Sequence, residues 1–365
     1  MSQRRLDSLE GLRFLSSLII VAGHYVPYVV DTPLITRTHL AVDLYFVISG
    51  IVIAENYAGR IAGGRDYARF MSRRIARLYP LHLLTLAFYV AIGLLYWRGL
   101  VQVVDGTRYN PETIVANLLM TQAWLPDGVI SFNYVSWSIS AEFFVYLLFP
   151  LIAWTVGRRT GVGFAVVLAM LAAGIAFAEL ALDRPLTRLS WDGGVLRAVP
   201  SFAFGVWVSC AAPALARRLP AARLRWLFPV VLTATATLFI VAIDQYVTLL
   251  VIWAMVALAF LSDRSGLATA VSRPLLSRRG ELTYSIYMLH TVVATIVMAF
   301  AFPRLFGTSV EARLAALLVA LVVLYALAVL SLRWFEQPLR RGLNRLADHG
   351  LAKASHAAAT RSAPR

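Results

Sequence analysis

The sequence predicts an all-α membrane protein, with about ten transmembrane helices in a single bundle around a central pocket. Of its 365 residues, 59% are hydrophobic and 15% are charged, and the mean hydropathy is +0.71. That composition is too apolar for a soluble globule of this length. Apolar runs long enough to cross a bilayer are bounded by arginine, proline, glycine or aspartate. They lie near residues 12–30, 39–57, 80–97, 137–156, 161–182, 197–212, 226–243, 246–262, 283–302 and 312–334.

Arginine is concentrated in the loops on one side of the predicted bundle. Loops after the even-numbered runs hold most of the arginines, and the opposite loops hold about half as many, mixed with acidic residues. Because short cytoplasmic loops retain positive charge, both termini are predicted to be cytoplasmic in a multi-pass protein of the plasma (inner) membrane. This asymmetry of arginine between the two sides accounts for the net charge of +15, so nucleic acid is not expected as a partner.

The remaining composition bounds the domain organisation. The single cysteine, Cys210, cannot form an intrachain disulfide, and the first apolar run is expected to be a retained helix with no signal peptide. The six histidines are scattered without metal-ligand spacing, so no metal is expected. Residues 1–345 are predicted to form one transmembrane domain, and residues 346–365, rich in alanine, serine and charge, a disordered cytoplasmic tail.

The first apolar run, GLRFLSSLIIVAGHY, carries an arginine at its start and a histidine well inside it. In a helix, the 11-residue step from Arg13 to His24 places both side chains within about 20° of one face and about 16 Å apart along the axis. Ionisable groups at membrane depth are costly and indicate a functional site. The alternative is an arginine that extends to the interface and a histidine hydrogen-bonded between helices.

Three further polar groups interrupt the apolar runs. Asp43 lies near the outer end of the second run and Ser49 near its middle; each is either functional or a local cap or turn hydrogen bond. The neighbouring Gly50 is expected to permit close approach of another helix. Glu142 lies one to two turns into the fourth run, where a carboxylate should face a partner or water.

An arginine cluster precedes the third run. The segment DYARFMSRRIARLYP, residues 66–80, predicts an amphipathic helix in the inner interface, with Pro80 opening the next helix. Adhesion to anionic lipid is one explanation of Arg73, Arg74 and Arg77. Four arginines within nine residues favour the other explanation, a clamp for a phosphate-bearing ligand.

Polar and aromatic residues also occur at three later points. Trp124, in the longest outer loop, is suited to stacking on a sugar ring. Tyr287 and His290 fall in the inner half of the ninth run, and Glu336 lies at the inner end of the tenth. We expect the four side chains to contribute to the pocket.

Six short motifs occur in order along about residues 8–340. They are Arg-x10-His at Arg13 and His24, Asp-x5-Ser-Gly at Asp43, Ser49 and Gly50, Arg-x-x-Arg at Arg74 and Arg77, Trp-Ser-x-x-x-Glu at Trp137, Ser138 and Glu142, Tyr-Ser-x-Tyr-x-x-His at Tyr284, Ser285, Tyr287 and His290, and Glu-x-Pro at Glu336 and Pro338. Together they resemble the acyltransferase-3 family of integral membrane acyltransferases. Ala41 and Tyr45 depart from the family pattern, where glycine and phenylalanine are usual, and leave the ionisable set complete.

The resemblance implies transfer of an acyl group, usually acetyl, from cytoplasmic acyl-CoA to a hydroxyl of a cell-surface or lipid-linked carbohydrate, or of a related glycosylated small molecule. Acyl-CoA would be a co-substrate and not a permanently bound cofactor. Many relatives add a soluble esterase-like domain, so a separate extracytoplasmic transferase is expected as a partner for any second transfer step.

The residues and the resemblance together assign three groups of site residues. The catalytic group is Arg13, His24, Asp43, Ser49 and Glu142; the donor-binding group is Arg73, Arg74, Arg77, Tyr287, His290 and Glu336; the acceptor-binding group is Trp124, Trp137 and Ser138. His24 is expected to act as a general base on the acceptor hydroxyl, directly or through Ser49. The alternative is a nucleophilic His24 that carries the acyl group between two half-reactions.

The residues alone leave two other classes of function open. A transporter or exporter of an anionic solute would use the same buried charges, although the chain shows no inverted repeat. A non-catalytic lipid- or glycan-binding scaffold is the third.

Overall fold

The computed structural model describes residues 5–30, 32, 37–103, 105–241 and 243–362, with side chains as far as residue 351. This part of the chain contains ten spans that are long and apolar enough to cross a membrane, and it has no strand. The long helices are α1 (Asp7–Tyr25), α2 (Ala41–Tyr57), α3 (Gly64–Trp97), α4 (Trp137–Gly157), α5 (Thr160–Ala181), α6 (Gly194–Arg218), α7 (Ala221–Ile240), α8 (Gln245–Ser265), α9 (Thr283–Val293), α10 (Val310–Leu330) and α11 (Gln337–Ser362). The all-α, ten-span prediction is confirmed.

The last two spans are lengthened by wider π-helical turns. After α9, a π-helix at Ala294–Ala301 leads into a short helix, Phe302–Phe306. After α10, a second π-helix, Ser331–Glu336, leads into α11. Helix α11 continues past residue 345 to Ser362, and the division into a membrane domain and a disordered tail stays a prediction.

The third span differs from its prediction. Instead of an interfacial helix followed by a new helix at Pro80, one 34-residue helix, α3, includes Pro80 in its interior. Proline lacks only its own N–H, and its fixed φ is close to the helical value, so a long helix can continue past it with a local loss of bonding. The arginine cluster consequently lies on the same rigid element as the membrane span.

The helix ends define two sides of the bundle. We call the side where α1 begins and α2 ends the terminal side, and the side where α1 ends and α2 begins the distal side. At the terminal side, both carboxylate oxygens of Asp263, in the last turn of α8, lie 2.9 and 3.0 Å from the backbone nitrogen of Ser8. Asp263 also accepts from the Leu9 nitrogen at 3.3 Å, so α8 supplies the N-cap that α1 does not provide itself.

Helices α2 and α6 are the most buried spans and cross at two glycines. A Cβ atom at Gly50 would overlap the carbonyl oxygen of Phe202, and one at Gly205 would overlap the carbonyl oxygen of Val47. The two backbones touch because neither glycine has a side chain. The expected close approach at Gly50 is confirmed.

Replacing Gly50 with alanine should therefore destabilise the protein, by about 1 to 3 kcal/mol for an overpacked contact. The matched control is Gly161→Ala in the first turn of α5, where a Cβ would meet open space. Thermal unfolding of both variants in detergent would measure the difference. A Gly50→Ala protein as stable as the wild type would show that the crossing can relax.

Candidate functional site

Three neighbouring cavities lie between the terminal and the distal side. The terminal cavity has a volume of about 900 Å³, the central cavity about 90 Å³ and the distal cavity about 310 Å³. Arg13 and Arg77 are among the residues that line both the terminal and the central cavity. Val42 and Tyr287 line both the central and the distal cavity. The cavities therefore follow one another across the bundle.

The terminal cavity is rich in charge and carries more arginine than glutamate. Its ionised side chains are Arg5, Arg13, Arg60, Arg77, Arg264, Arg340, Glu10, Glu55, Glu281 and Glu336. Glu10 accepts from Arg13 at 3.2 Å, and Glu55 accepts from Arg264 at 2.9 Å. The excess of arginine gives this cavity donors for a polyanionic ligand.

The structure separates the arginines of α3 into two environments. Arg77 lines the terminal and central cavities, and Arg74 lines the central cavity. The Arg74 guanidinium lies 5.5 Å from the ring centroid of Tyr57, a cation–π contact that holds it in place. Arg73 is exposed and lines none of the three cavities. The structure thus brings two of the three predicted clamp residues to the site.

Glu142 and Ser49 meet in the central cavity, as part of the predicted catalytic group. The Ser49 hydroxyl donates to Glu142 Oε1 at 2.7 Å, and the Tyr146 hydroxyl donates to the same oxygen at 2.5 Å. Ser138, predicted to bind the acceptor, lines the same cavity and donates to Tyr287 Oη at 2.7 Å. Among the described residues, no hydrogen bond joins this group to His24.

His24 lies instead against His290 and lines the distal cavity. Its Nδ1 is 2.9 Å from the Ile20 carbonyl oxygen and 3.3 Å from His290 Nε2. A carbonyl only accepts hydrogen bonds, so Nδ1 of His24 carries the proton. By the same argument His290 is protonated at Nδ1, 2.6 Å from the Tyr287 carbonyl, and its Nε2 is an acceptor towards His24.

This tautomer leaves Nε2 of His24 as the basic nitrogen. No described residue forms a hydrogen bond with it, and the ring is part of the distal cavity wall. A free imidazole lone pair at a cavity is available to accept a proton from a bound ligand. His290, which we predicted to bind the donor, is fully buried and orients His24.

Asp43 forms an ion pair with an arginine that no sequence motif singled out. Arg197, near the start of α6, donates from Nε to Asp43 Oδ1 at 3.0 Å and from Nη2 to Asp43 Oδ2 at 2.6 Å. The same guanidinium donates to the His39 and Leu189 carbonyls. Both side chains of the ion pair are almost wholly buried, so Asp43 holds α2 to α6 at the edge of the distal cavity.

The two tryptophans predicted to bind the acceptor lie in different environments. Trp137 lines the distal cavity. Trp124 packs on Phe144 and donates from Nε1 to the Ser140 carbonyl at 3.1 Å, away from the three cavities. Tyr287 also lines the distal cavity, together with Tyr134 and Trp191, which no motif singled out.

Glu336 completes the terminal cavity at the end of the second π-helix. It accepts from the Ser285 hydroxyl at 2.6 Å and from the Ser331 hydroxyl at 2.7 Å. The wider turns bring Ser331, five residues earlier, onto the same carboxylate oxygen; π-helical turns are frequent at functional sites. Within the described residues, no three His, Cys, Asp or Glu side chains are arranged to hold a metal ion.

Comparison with known proteins assigns the family. A model described as an acyltransferase domain matches residues 6–333, nearly the whole chain. The chain belongs to the acyltransferase-3 family. The description of the matched model favours acyl transfer over the exporter and scaffold alternatives. No solved structure matches the chain.

Several curated proteins resemble part of this chain. Acyltransferase MdmB of Streptomyces mycarofaciens is 36% identical over 159 residues, which cover 40% of this chain and 39% of that protein. Protein 2 in the picA locus of Rhizobium radiobacter is 31% identical over 39% of this chain and 78% of its own. O-acetyltransferase OatA of Staphylococcus aureus is 27% identical over 41% of this chain and 25% of its own. The matches thus span well under half of the first and third relatives.

Breaking the buried ion pair should strongly destabilise the protein. Asp43→Asn leaves Arg197 buried without a counter-charge, which costs about 3 to 5 kcal/mol in comparable sites. The control is Asp7→Asn at the exposed Arg5–Asp7 pair, where the loss should stay below about 1 kcal/mol. Unfolding midpoints in detergent would compare them, and equal losses would refute a special role for the buried pair.

Proposed function

We propose that this protein is an O-acyltransferase that moves an acyl group, most simply acetyl, from acyl-CoA to a hydroxyl of a carbohydrate, a lipid-linked glycan or a related glycosylated molecule. The observation that carries the proposal is the free Nε2 of His24 at the distal cavity. Arginines line the other end of the cavity series. The Streptomyces relative is named an acyltransferase and the staphylococcal relative an O-acetyltransferase, which supports acyl and acetyl transfer.

In the proposed reaction, the nucleotide end of acyl-CoA occupies the terminal cavity, where Arg77 and Arg13 meet its phosphates. The pantetheine arm extends through the central cavity towards His24. The distance from Arg13 to His24, about 16 Å along α1 by helix geometry, suits that extended arm. The acceptor occupies the distal cavity.

His24 then acts as the general base. Its Nε2 takes the proton of the acceptor hydroxyl while the oxygen attacks the thioester carbonyl; the C–S bond breaks, and Nε2 returns the proton to the CoA sulfur. An alcohol is a poor nucleophile at neutral pH without such help. During the step the imidazolium keeps its Nδ1–H between the Ile20 carbonyl and His290 Nε2, two acceptors that stabilise the positive charge.

We further propose that the terminal side is cytoplasmic. Acyl-CoA is a cytoplasmic donor, and the loops on this side carry most of the arginines. The acceptor would then reach His24 from the outer side of the plasma membrane. A separate extracytoplasmic transferase for a second step stays a prediction.

The direct test is His24→Ala. We expect the rate of acyl transfer from acetyl-CoA to fall by about two to four orders of magnitude, the usual contribution of a general base. Binding of CoA, measured by calorimetry on the purified protein, should persist. His349→Ala is the matched control, because His349 is exposed on α11 and far along the chain from the cavities.

Two results would change the mechanism. Normal transfer by the His24→Ala protein would eliminate the base. An acyl adduct on His24, trapped by mass spectrometry without acceptor, would replace direct attack with the covalent two-step route.

A second test compares two arginines four residues apart on α3. Arg77→Gln should weaken CoA binding by about 10- to 100-fold, as expected for loss of a charge-assisted hydrogen bond to phosphate. Arg73→Gln removes the same charge from an exposed position outside the cavities and should leave the Kd within about twofold. Equal weakening in both proteins would indicate a general effect of surface charge and contradict the assigned donor site.

A further inference from the structure

Among the residues that the structure describes, the walls of the distal cavity include arginine side chains and no acidic side chain. Its ionisable side chains are Arg188, Arg197, His24, His39, Tyr134 and Tyr287. Arg197 is already neutralised by Asp43 through two short hydrogen bonds. Arg188, in the turn between α5 and α6, is therefore the cation of this cavity that remains to be balanced.

The surroundings of Arg188 increase its need for an anion. Arg188 remains exposed on one side, and its partial burial together with repulsion from Arg37 and Arg197 lowers the pKa of its guanidinium from the ordinary value. Asp192, the acidic residue four positions away, is occupied: it forms an ion pair with Arg184 and accepts from the Ser190 backbone nitrogen at 2.8 Å. Among the described residues, no carboxylate reaches Arg188.

The same cavity offers flat aromatic surfaces beside this cation. Trp137, Trp191 and Tyr134 line it, and the Tyr134 ring centroid is 5.7 Å from that of His24. Aromatic faces suit the apolar faces of a sugar ring, and a planar guanidinium suits the paired oxygens of a carboxylate or phosphate. The basic nitrogen of His24 opens onto the same space.

We infer that the acceptor is an anionic carbohydrate whose carboxylate or phosphate binds Arg188, with the hydroxyl to be acylated on the adjoining part of the sugar, next to His24. This inference rests on the proposed acyl transfer, because only that reaction makes the bound carbohydrate an acceptor. The binding preference itself is a property of the cavity that can be measured without any reaction.

Calorimetry with three probes tests the inference: methyl glucoside, methyl glucuronoside and glucose 1-phosphate. We expect at least one anionic probe to bind the wild-type protein about 10-fold or more tightly than the neutral probe. Arg188→Gln should remove that preference, a loss of about 10- to 100-fold for a charge-assisted bidentate contact, and Arg188→Lys should restore part of it. The anionic probe that binds more tightly shows whether the group bound by Arg188 is a carboxylate or a phosphate.

The matched control is Arg304→Gln, an arginine outside the distal cavity that donates to the Phe300 carbonyl and lies over the Phe300 ring. Equal binding of neutral and anionic probes, an unchanged preference in Arg188→Gln, or the same loss in Arg304→Gln would each overturn the inference. Acyl transfer assays on the same samples report separately on the proposed function, because probe binding does not require the donor.

Discussion

The ion pair between Asp43 and Arg197 is the contact on which the distal half of the structure depends. It joins α2 to α6 through two hydrogen bonds between fully buried side chains, and the same guanidinium fixes the backbone at His39 and Leu189. Arg197 and His39 line the distal cavity. Because a buried charge without its partner is very costly, the pair permits few alternative arrangements of the two helices. Closer to the terminal side, the crossing at Gly50 and Gly205 sets the separation of α2 and α6.

Polar groups within the bundle are satisfied in different ways along the cavity series. In the central and terminal cavities, Glu142 and Glu336 accept from serine and tyrosine hydroxyls, so hydrogen bonding is supplied without an opposite charge. At the edge of the distal cavity, Asp43 is paired with Arg197, and the carboxylate has no free oxygen. A hydroxyl can rotate between partners, whereas a bidentate ion pair is rigid. The polar contacts of the central and terminal cavities can thus adapt, while the ion pair between α2 and α6 stays fixed.

Local patterns in the sequence were sufficient for the helices and for part of the site. Apolar runs predicted the ten spans, and the periodicity of α1 predicted that Arg13 and His24 would face one series of cavities. Partners distant in sequence were not predictable: Arg197 lies 154 residues from Asp43, and His290 lies 266 residues from His24. The proline rule failed at Pro80, because packing of a long helix outweighs one lost hydrogen bond. Helix periodicity likewise could not show that Arg73 is exposed while Arg77 lines the cavity.

The small volume of the central cavity bears on the size of the acyl group in the proposed reaction. The thioester has to pass from the arginines of the terminal cavity to Nε2 of His24, and the space between them is about 90 Å³, enough for only a few water molecules. Its walls include Phe46, Ile48 and Ile53 from α2 and Ile139 from α4, and the first two are fully buried. Interiors packed at this density resist added methylene groups. The pantetheine arm already has to occupy this narrow space, so each methylene group added to the acyl chain would have to displace further wall side chains, and the constraint favours a short acyl group.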